Sequence, residues 1–373
     1  MPSPLDAVRR SQRLTVGIAA ALVVATAALD AAGANNVLVF VVAALALAAL
    51  AALVGDAIEQ IGERLGPGPT GLLQSSLGNL PELLVAIFAL RAGLTSVVQA
   101  ALIGSVLGNV LLVLGAAFLS GGARHGTQRF DPEAPRMLVT LLTLAVGAML
   151  VPTLADKLDT PAVHHTAALS DAAAVVLLLV YAASIPFWLS GGPQTGPGPA
   201  KSDEAVAPVP ATSARTPSRP LWPLWLGVAM LAAASVGSGA VSDWFVSALT
   251  PATRSLGISP VFTGLVIVAI ASNAVENVAG IRFAWKARPD YAISTILNSP
   301  LQITLFLTPV LVLVSPLIGP AHLTLVFPPL LVAALAVAVV VVTVVVYDGE
   351  YSWLEGVALI ALYAVVGAAF WWG

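Results

Sequence analysis

Long apolar runs alternate with short polar segments along the whole chain. A transmembrane helix needs about 20 mainly apolar residues, and this length divides the sequence into eleven predicted spans. Each is predicted as α-helix, because backbone groups in lipid must be hydrogen-bonded within the segment. Runs such as LLVAALAVAVVVVTVVV lack the residue-by-residue alternation of a membrane β-strand. The spans cover approximately residues 14–31, 36–55, 69–91, 96–119, 136–155, 166–190, 221–246 (with an alternative end at Ser242–Asp243), 259–284, 291–318, 324–347 and 352–372.

The composition also indicates a membrane protein. Hydrophobic residues make up 58% of the chain and charged residues 9%, whereas a soluble domain carries about 25% charged residues. The net charge of -3 gives no indication of a nucleic-acid partner. The absence of cysteine excludes disulfides, thiolate metal sites and cysteine nucleophiles. The expected partner of the apolar surface is therefore the lipid bilayer.

Lysine and arginine predict the orientation of the spans, since they concentrate in the cytoplasmic segments of membrane proteins. With the N-terminus inside, thirteen of the sixteen fall in inner segments, and Arg91, Lys157 and Arg254 fall in outer ones. This split predicts a bacterial-type inner (plasma) membrane protein with a cytoplasmic N-terminus and an external C-terminus. The basic residues before the first span resemble the start of a signal peptide, but the many later spans favour an uncleaved first helix.

An Asn-x-x-Glu pair interrupts an apolar run in each half of the chain, and a serine follows 23 residues after each glutamate. The members are Asn79, Glu82 and Ser105 and, at an offset of 194 residues, Asn273, Glu276 and Ser299. The two pairs lie in spans three and eight, which are five spans apart, so the repeats enter the membrane from opposite sides. Inverted repeats with a site near the midplane at their interface are a recurrent transporter design.

A segment without apolar periodicity separates the two halves. Residues 192–220 are rich in Pro, Ala, Ser and Gly, which is typical of a flexible linker. We therefore predict an all-α integral membrane protein of about 11 transmembrane helices, one N-terminal helix plus two inverted five-helix repeats. Its parts are an N-terminal tail and first helix at 1–35, a first repeat at 36–191, a cytoplasmic linker at 192–220 and a second repeat at 221–373.

The repeated polar residues predict a cation site. Asparagine and glutamate three residues apart share one helix face, and Pro81 and Pro300 lack an N–H, which frees a backbone carbonyl in the helix. Broken helices with open carbonyls hold cations in transporters. Carboxylates, amides and hydroxyls are hard oxygen ligands suited to Ca²⁺, Mn²⁺ or Na⁺. Burial favours the protonated carboxyl and a cation favours the carboxylate, so the two glutamates could exchange a cation for protons.

Other interpretations of these residues stay open. A buried carboxylate in the membrane costs about 2.5–3.5 kcal/mol and so is seldom decorative, but Asn79 or Ser105 alone would also suit helix packing. Glu59, at the inner end of span two, is either part of a cation funnel or a solvated helix end. Asp243 is either a third buried carboxylate or the end of span seven.

Two other classes of protein fit the residues less well. A cation channel would carry a continuous polar stripe along one span, whereas here the polar groups cluster at mid-depth. The stretch VGSGA around Ser238 suggests an intramembrane serine protease, but no histidine lies in another span to activate the serine. The chain has no Walker sequence for ATP-driven transport. We therefore do not expect an enzyme.

On these motifs the chain resembles the calcium/proton antiporters of the cation/calcium exchanger superfamily. The first repeat of that family is matched by SLGNLPELLVAIFALRAGL followed by LIGSVLGNVLLVLG, and the second by LGISPVFTGLVIVAIASNAVENVAG with NSPLQITLFLTPVLVLVSPLIG. The resemblance implies alternating access that exports Ca²⁺ in exchange for H⁺, with no cofactor beyond these transported ions. An exchanger for Mn²⁺, Na⁺ or K⁺ is the alternative, and a cation channel is a more distant one.

The resemblance also implies which residues form the site. They are Glu82 and Glu276 as the central cation and proton carboxylates, Asn79 and Asn273 beside them, and Ser105, Asn109, Ser299 and Gln302 in the remaining coordination region. Glu59 matches an acidic position of the family at the cytoplasmic side, and Asp243 matches one early in the second repeat. Both are expected on the cation or proton pathway.

Several positions depart from the family pattern. Ser272 stands where the family usually has Gly, and Asn277 replaces the His that commonly follows the second glutamate. Thr250 sits where an acidic residue is usual, and Asn298 and Pro300 differ from the usual second serine motif. These changes bear on which cation is moved and on how protons reach the second glutamate.

Overall fold

The computed structural model describes residues 10–65, 77–189 and 222–371, and within these ranges it leaves out the side chains of 10–11, 62–65, 187–189 and 274–276. The described chain is almost entirely helical. Its helices are α1 (Arg10–Ala31), α2 (Asn36–Leu65), α3 (Leu80–Arg91), α4 (Thr95–His125), α5 (Glu133–Lys157), α6 (Thr166–Leu189), α7 (Leu224–Leu256), α8 (Pro260–Ser272), α9 (Ala274–Trp285), α10 (Pro289–Ile318), α11 (Pro329–Tyr347) and α12 (Trp353–Ala369). A 3₁₀ turn covers Pro161–His165, and strands β1 (Gln128–Arg129) and β2 (Glu350–Tyr351) pair antiparallel.

Most of these helices can cross a membrane. Among the described residues, eight are long and apolar enough, and α8 with α9 makes a ninth if that bent pair is one span. Two further predicted spans correspond to shorter helices, of 12 residues in α3 and 17 in α12. The region 66–76, where the sequence places the start of span three, lies outside the described residues. The chain is thus an all-helical membrane protein.

Several helix bounds differ from the predicted spans, most clearly in α2, which continues to Leu65 rather than ending at residue 55, and in α7 and α11. Helix α7 runs for 33 residues, through Asp243, to Leu256, so a span end at residue 246 or at Ser242–Asp243 is wrong. It stops where Gly257 adopts a left-handed conformation with φ of 65°, which glycine reaches without steric cost. Helix α11 begins at Pro329 rather than at residue 324. Hydropathy identifies the apolar stretch of each of these helices, but it does not identify the residue at which the helix begins or ends.

Helices α2 and α7 pack against each other as a long antiparallel pair. Phe40 stacks on Phe245 with ring centroids 4.8 Å apart. Near the other end of the pair, a Cβ atom on Gly227 would lie 3.0 Å from the Ile61 side chain. Residues early in α2 therefore meet residues late in α7.

The two halves of the chain share one helical register. Helices α3 and α9 are both 12 residues long and are offset by 194 residues at both ends. Helices α4 and α10 begin at Thr95 and Pro289, at the same offset, and are preceded at that offset by Gly93 and Ala287 with positive φ of 75° and 52°. Each long helix contains a π-helical segment, Gly108–Val113 in α4 and Ile303–Leu307 in α10. The sequence offset is therefore also an offset in backbone structure.

One group of inter-helix contacts joins the chain near residues 125–131, 285–290 and 348–351. The backbone N–H of Asp131 donates to Asp290 Oδ1 at 2.7 Å, and His125 Nε2 lies 3.0 Å from the Trp285 carbonyl oxygen. Strands β1 and β2 pair here, and the Tyr351 ring stacks on another aromatic ring. Burial, with a contribution from the negative charge of Asp290, raises the pKa of Tyr351 to about 12.

An extended segment, residues 322–327, covers helix ends elsewhere, and we call it the strap. Side chains of α4, α5 and α6 bond its backbone N–H and C=O groups at 2.9–3.0 Å, namely Gln99, Thr153 and Ser170. Alternate strap side chains are buried, namely Leu323, Leu325 and Phe327. Non-helical backbone at membrane depth is tolerated only where protein satisfies its polar groups. The apolar composition of the strap therefore predicts part of a transmembrane helix, but in the structure the strap is extended.

Helices α4 and α8 approach each other so closely that two glycines are needed. A Cβ atom on Gly104 would lie 2.6 Å from the Leu265 Cα, and one on Gly264 would lie 2.6 Å from the Val97 carbonyl oxygen. Close backbone contact through small residues is a common means of packing membrane helices. It holds residue 105 of α4 against the end of α8.

The substitution Gly104→Ala should therefore separate the two helices. Overpacking a tight contact costs about 1–3 kcal/mol, so we expect a lower unfolding temperature of the purified protein in detergent. Gly147→Ala in α5 is the matched control, because its added Cβ would have no atom within 4 Å and alanine is favoured in a helix by about 1 kcal/mol. An equal loss of stability in both variants would contradict the close approach.

Candidate functional site

Two asparagines stand at equivalent helix starts. Asn79 precedes α3 with φ of -91° and ψ of 19°, and Asn273 precedes α9 with φ of -104° and ψ of 11°. The asparagine is thus just outside the helix and the glutamate is its third residue, which refines the prediction that both share a helical face. Carboxylates in the first turn of a helix are stabilised by its dipole. Glu82 occupies this position in α3, and the backbone of Glu276 occupies it in α9.

The two prolines act differently from each other. Pro81 lies in the first turn of α3, where a missing N–H removes no helical hydrogen bond. The backbone N–H of Leu83 donates to the Asn79 carbonyl at 2.9 Å, so that carbonyl is not free. Pro300 lies inside α10, and its own carbonyl accepts from the Thr304 hydroxyl at 2.9 Å. The interruption before α3 therefore comes from the backbone at Asn79 rather than from Pro81.

The junction between α8 and α9 is a broken helix. The two axes are bent by 63°. Asn273 Nδ2 donates to the Ala269 carbonyl at 3.1 Å and to Ser272 Oγ at 3.2 Å, and Ser272 Oγ donates to the Val268 carbonyl at 3.0 Å. The negative C-terminal end of one helix dipole thus meets the positive N-terminal end of the next. Transporters use such junctions to hold ions.

A continuous hydrogen-bonded chain joins both halves of the protein. Ser105 Oγ donates to Glu82 Oε1 and accepts from Asn273 Nδ2 at 3.1 Å. Asn273 Oδ1 in turn accepts from Ser299 Oγ at 3.4 Å. All four side chains are buried, and Glu82 is 4% exposed. The chain Glu82–Ser105–Asn273–Ser299, which we call the polar chain, therefore links α3, α4, the α8–α9 junction and α10.

Three further amides lie next to the polar chain. Asn79 Nδ2 donates to Gln302 Oε1 at 3.2 Å, which links the first half to the second again. Asn109 Nδ2 donates to the Ser105 carbonyl at 2.9 Å. Asn109 Oδ1 is buried and has no hydrogen-bond partner within the described part of the chain. An amide oxygen in that state is available as a ligand for a cation.

The remaining candidates lie apart or outside the description. The side chain of Glu276 is outside the described residues. Glu59, in α2, and Asp243, in α7, are exposed, and neither bonds to the polar chain among the described residues. Asp243 is thus neither a third buried carboxylate nor a helix end. The structure brings together six predicted residues, with Asn109 beside them, namely Asn79, Glu82, Ser105, Asn273, Ser299 and Gln302.

Ser272 is a member of this cluster that the sequence marks only as a departure from a family pattern. It accepts from Asn273 and ends α8. The signal for it is a hydroxyl directly before an asparagine in an apolar run. No group of three or more His, Cys, Asp or Glu side chains that could hold a metal occurs among the described residues. The donors in this cluster are therefore mainly amides and hydroxyls.

Comparison with known proteins assigns the family. A family model described as sodium/calcium exchanger protein matches residues 35–189 and 226–372. A Ca(2+)/H(+) antiporter of Synechocystis sp. is 39% identical over 342 residues, which cover 89% of this chain and 90% of that protein. The Ca(2+)/H(+) antiporter ChaA of Bacillus subtilis is 32% identical over 343 residues, which cover 90% of this chain and 92% of that protein.

Two solved structures have the same architecture. Native YfkE matches with a TM-score of 0.79 and 29% identity, over 96% of this chain and 99% of its own. The H+/Ca2+ exchanger CAX matches in fold, with a TM-score of 0.72 and 16% identity, over 97% of this chain and 92% of its own. With most of its length inside the family model and full-length relatives above 30% identity, the chain belongs to the sodium/calcium exchanger protein family.

Proposed function

We propose that this protein is a secondary-active antiporter that exports Ca²⁺ in exchange for H⁺ through a site shared by its two halves. The observation that carries the proposal is the polar chain, which joins Glu82 and Ser105 of the first half to Asn273 and Ser299 of the second. Relatives at 39% and 32% identity bear the name Ca(2+)/H(+) antiporter. An exchanger of Mn²⁺, Na⁺ or K⁺ is the alternative.

The chemistry of the site suits the binding of a cation and of protons, in turn, to the same groups. Carboxylate, amide and hydroxyl oxygens are the ligands that Ca²⁺ prefers. Two carboxylates, Glu82 and Glu276, neutralise one divalent cation, and two protons neutralise the same pair when the cation leaves. Ser105 donates to Glu82 in the present structure and would turn its hydroxyl oxygen toward an entering cation. Because cation and protons compete for one pair of carboxylates, transport of one is coupled to transport of the other.

The proposal includes eleven spans in two inverted five-helix repeats after an N-terminal helix, with domain limits at 1–35, 36–191, 192–220 and 221–373. The common offset of α3 with α9 and of α4 with α10 supports the repeat. The linker at 192–220 lies outside the described residues. Spans three and eight start on opposite sides of the membrane in this arrangement, so each half would deliver one glutamate to the midplane from its own side.

Contacts between helix ends support the proposed division of the segments between the two sides of the membrane. The segments near 125–131, 285–290 and 348–351, all assigned to the inner side, meet one another. Trp222 bonds to Gln60 and Gln12, which are also assigned to the inner side. Ser259 donates to the Phe370 carbonyl at 2.6 Å, and both lie at outer ends. A cytoplasmic N-terminus and an external C-terminus are consistent with every one of these contacts.

Alternating access would proceed by movement of α2 and α7, with their neighbours, around the polar chain. These two helices form a long pair with stacked rings at Phe40 and Phe245. Rocking of one bundle about a fixed midplane site is the general mechanism of inverted-repeat transporters. The broken helices at Asn79 and Asn273 would then expose the site to one side at a time.

Ion selectivity is tested in proteoliposomes that hold the purified protein and a preset pH gradient. We expect Ca²⁺ to dissipate the gradient, and Mn²⁺, Na⁺ and K⁺ to leave it largely intact, when each is added in turn. If another cation dissipates the gradient and Ca²⁺ does not, that cation is the transported ion. Ser272, Asn277 and Asn298 would then be the first residues to replace by those usual in the family. Cation flux without proton movement would favour a channel.

The two glutamates are tested by Glu82→Gln and Glu276→Gln. Each variant should lose exchange while it keeps the elution profile of the folded protein, because glutamine keeps the shape but can neither balance the cation nor carry a proton. Glu350→Gln is the control, since Glu350 forms an exposed ion pair with Arg129, and such pairs contribute little. Retained exchange in either glutamate variant would contradict the site.

The serine of the polar chain is tested by Ser105→Ala. The variant removes an oxygen proposed to face the entering cation, and loss of a group that supports a metal site costs about tenfold or more in metal affinity, so we expect the apparent Ca²⁺ affinity to fall by about that factor. Ser120→Ala lies on the same helix, where the hydroxyl donates only to the Ala117 carbonyl, and should transport like the unmodified protein. The measurement is the Ca²⁺ concentration for half-maximal proton movement.

A further inference from the structure

An open cleft of about 580 Å³ lies between α3 and α7. Phe88 and Arg91, from the last turn of α3, line it on one side, and Ala240, Asp243 and Ser247, from α7, line it on the other. A water in the liquid takes up about 30 Å³, so the cleft has room for a hydrated cation. Arg91 belongs to a segment assigned to the outer side, and we therefore call this space the outer cleft.

Two opposite charges face the outer cleft without pairing. Arg91 and Asp243 are both exposed, and neither takes part in an ion pair within 4.0 Å or a side-chain hydrogen bond in the described part of the chain. The Arg91 Cζ atom lies 5.9 Å from the centroid of the Phe88 ring. Asp243 stands in the interior of α7. An ionisable residue inside a membrane helix is a functional candidate by default.

The space beside Glu82 is lined in part by the same two helices as the outer cleft. This small cavity of about 10 Å³ is lined by Glu82, Val85 and Ala89 of α3 and Leu249 of α7, together with residues of α4 and α8. Arg91 follows Glu82 by nine residues on α3, a rise of about 13 Å. A fixed positive charge therefore stands at one end of the helix whose other end carries the cation carboxylate. Apart from Glu82, the residues that line the small cavity are apolar.

We propose that Arg91 acts as a tethered cation that competes with Ca²⁺ for Asp243 in the outer cleft and so lowers the affinity of the external face. The inference rests on the proposed exchange of Ca²⁺. A carboxylate alone at an exit would retain a divalent cation and favour its return. A guanidinium remains protonated at all working pH values, so it opposes the cation throughout the cycle. Arg91 is a specificity-determining residue for the outer face rather than a ligand.

The experiment compares the two faces of the membrane separately. The Ca²⁺ concentration for half-maximal exchange is measured in right-side-out vesicles, where external Ca²⁺ enters, and in everted vesicles, where internal Ca²⁺ leaves. Arg91→Gln should lower the half-maximal concentration at the external face about fivefold, the size expected of an exposed charge pair, and leave the internal face unchanged. Arg91→Lys keeps the charge and should behave like the unmodified protein.

Three further variants make the result specific. Asp243→Asn should raise the external half-maximal concentration, and Arg91→Gln added to it should have no further effect, because the competing pair is gone. Arg254→Gln is the matched control, since Arg254 lies in the last turn of α7 and does not line the cleft. It should leave both faces unchanged.

Four results would overturn the inference. They are an equal shift at both faces in Arg91→Gln, a persistent effect of Arg91→Gln in the Asp243→Asn background, the same shift in Arg254→Gln, and the absence of any external shift in Arg91→Gln. These results differ from a failure of the proposed function. If the unmodified protein moves no protons when Ca²⁺ is added, the function itself is wrong, whereas exchange with unshifted external affinity contradicts only the role of Arg91.

Discussion

A carboxylate buried in a membrane protein must find hydrogen-bond partners, and this requirement shapes the centre of the molecule. Glu82 is 4% exposed and receives the Ser105 hydroxyl, which in turn receives the Asn273 amide. Charge in a low-dielectric interior is costly unless such donors are in place. The close approach at Gly104 brings α4 against α8, and the break after Ser272 turns Asn273 inward. The close helix packing and the break in the helix thus both bring together the groups that form these hydrogen bonds.

Ser105, which donates to Glu82, and Asn273 behind it are neutral groups, and this matters for exchange. A lysine or arginine beside the glutamate would form a lasting ion pair and exclude a cation. An amide or hydroxyl can donate to a carboxylate in one state and offer an oxygen to a cation in another, because both carry donor and acceptor atoms. Asn273 donates to Ser105 and accepts from Ser299 at the same time. The polar groups of the site can therefore keep bonding partners with either a cation or protons bound, provided that the side chains reorient.

The sequence predicted the polar chain better than it predicted the backbone around it. Glu82 and Asn273 stand out because polar residues are rare in apolar runs, and their repetition at a constant offset survives in the start positions of α3 and α9. The continuation of α7 past residue 246 to Leu256, the strap at 322–327 and the π-helical segments were not predicted, since hydropathy does not distinguish a helix from other protein-covered backbone. The strap is apolar like a span, and only its side-chain partners, such as Thr153, show why it is extended.

The two halves match in backbone but place one amide of the site differently. At the common offset, Gly108 corresponds to Gln302 and Asn109 corresponds to Ile303. Gln302 accepts from Asn79 across the halves, whereas Asn109 donates to a carbonyl of its own helix. Perfect inverted symmetry would make the inward-open and outward-open states equal in energy and in affinity. An exporter needs states that differ, because it binds a cation where it is scarce and releases it where it is abundant. The displaced amide supplies such a difference within the site, as the charges of the outer cleft do beyond it.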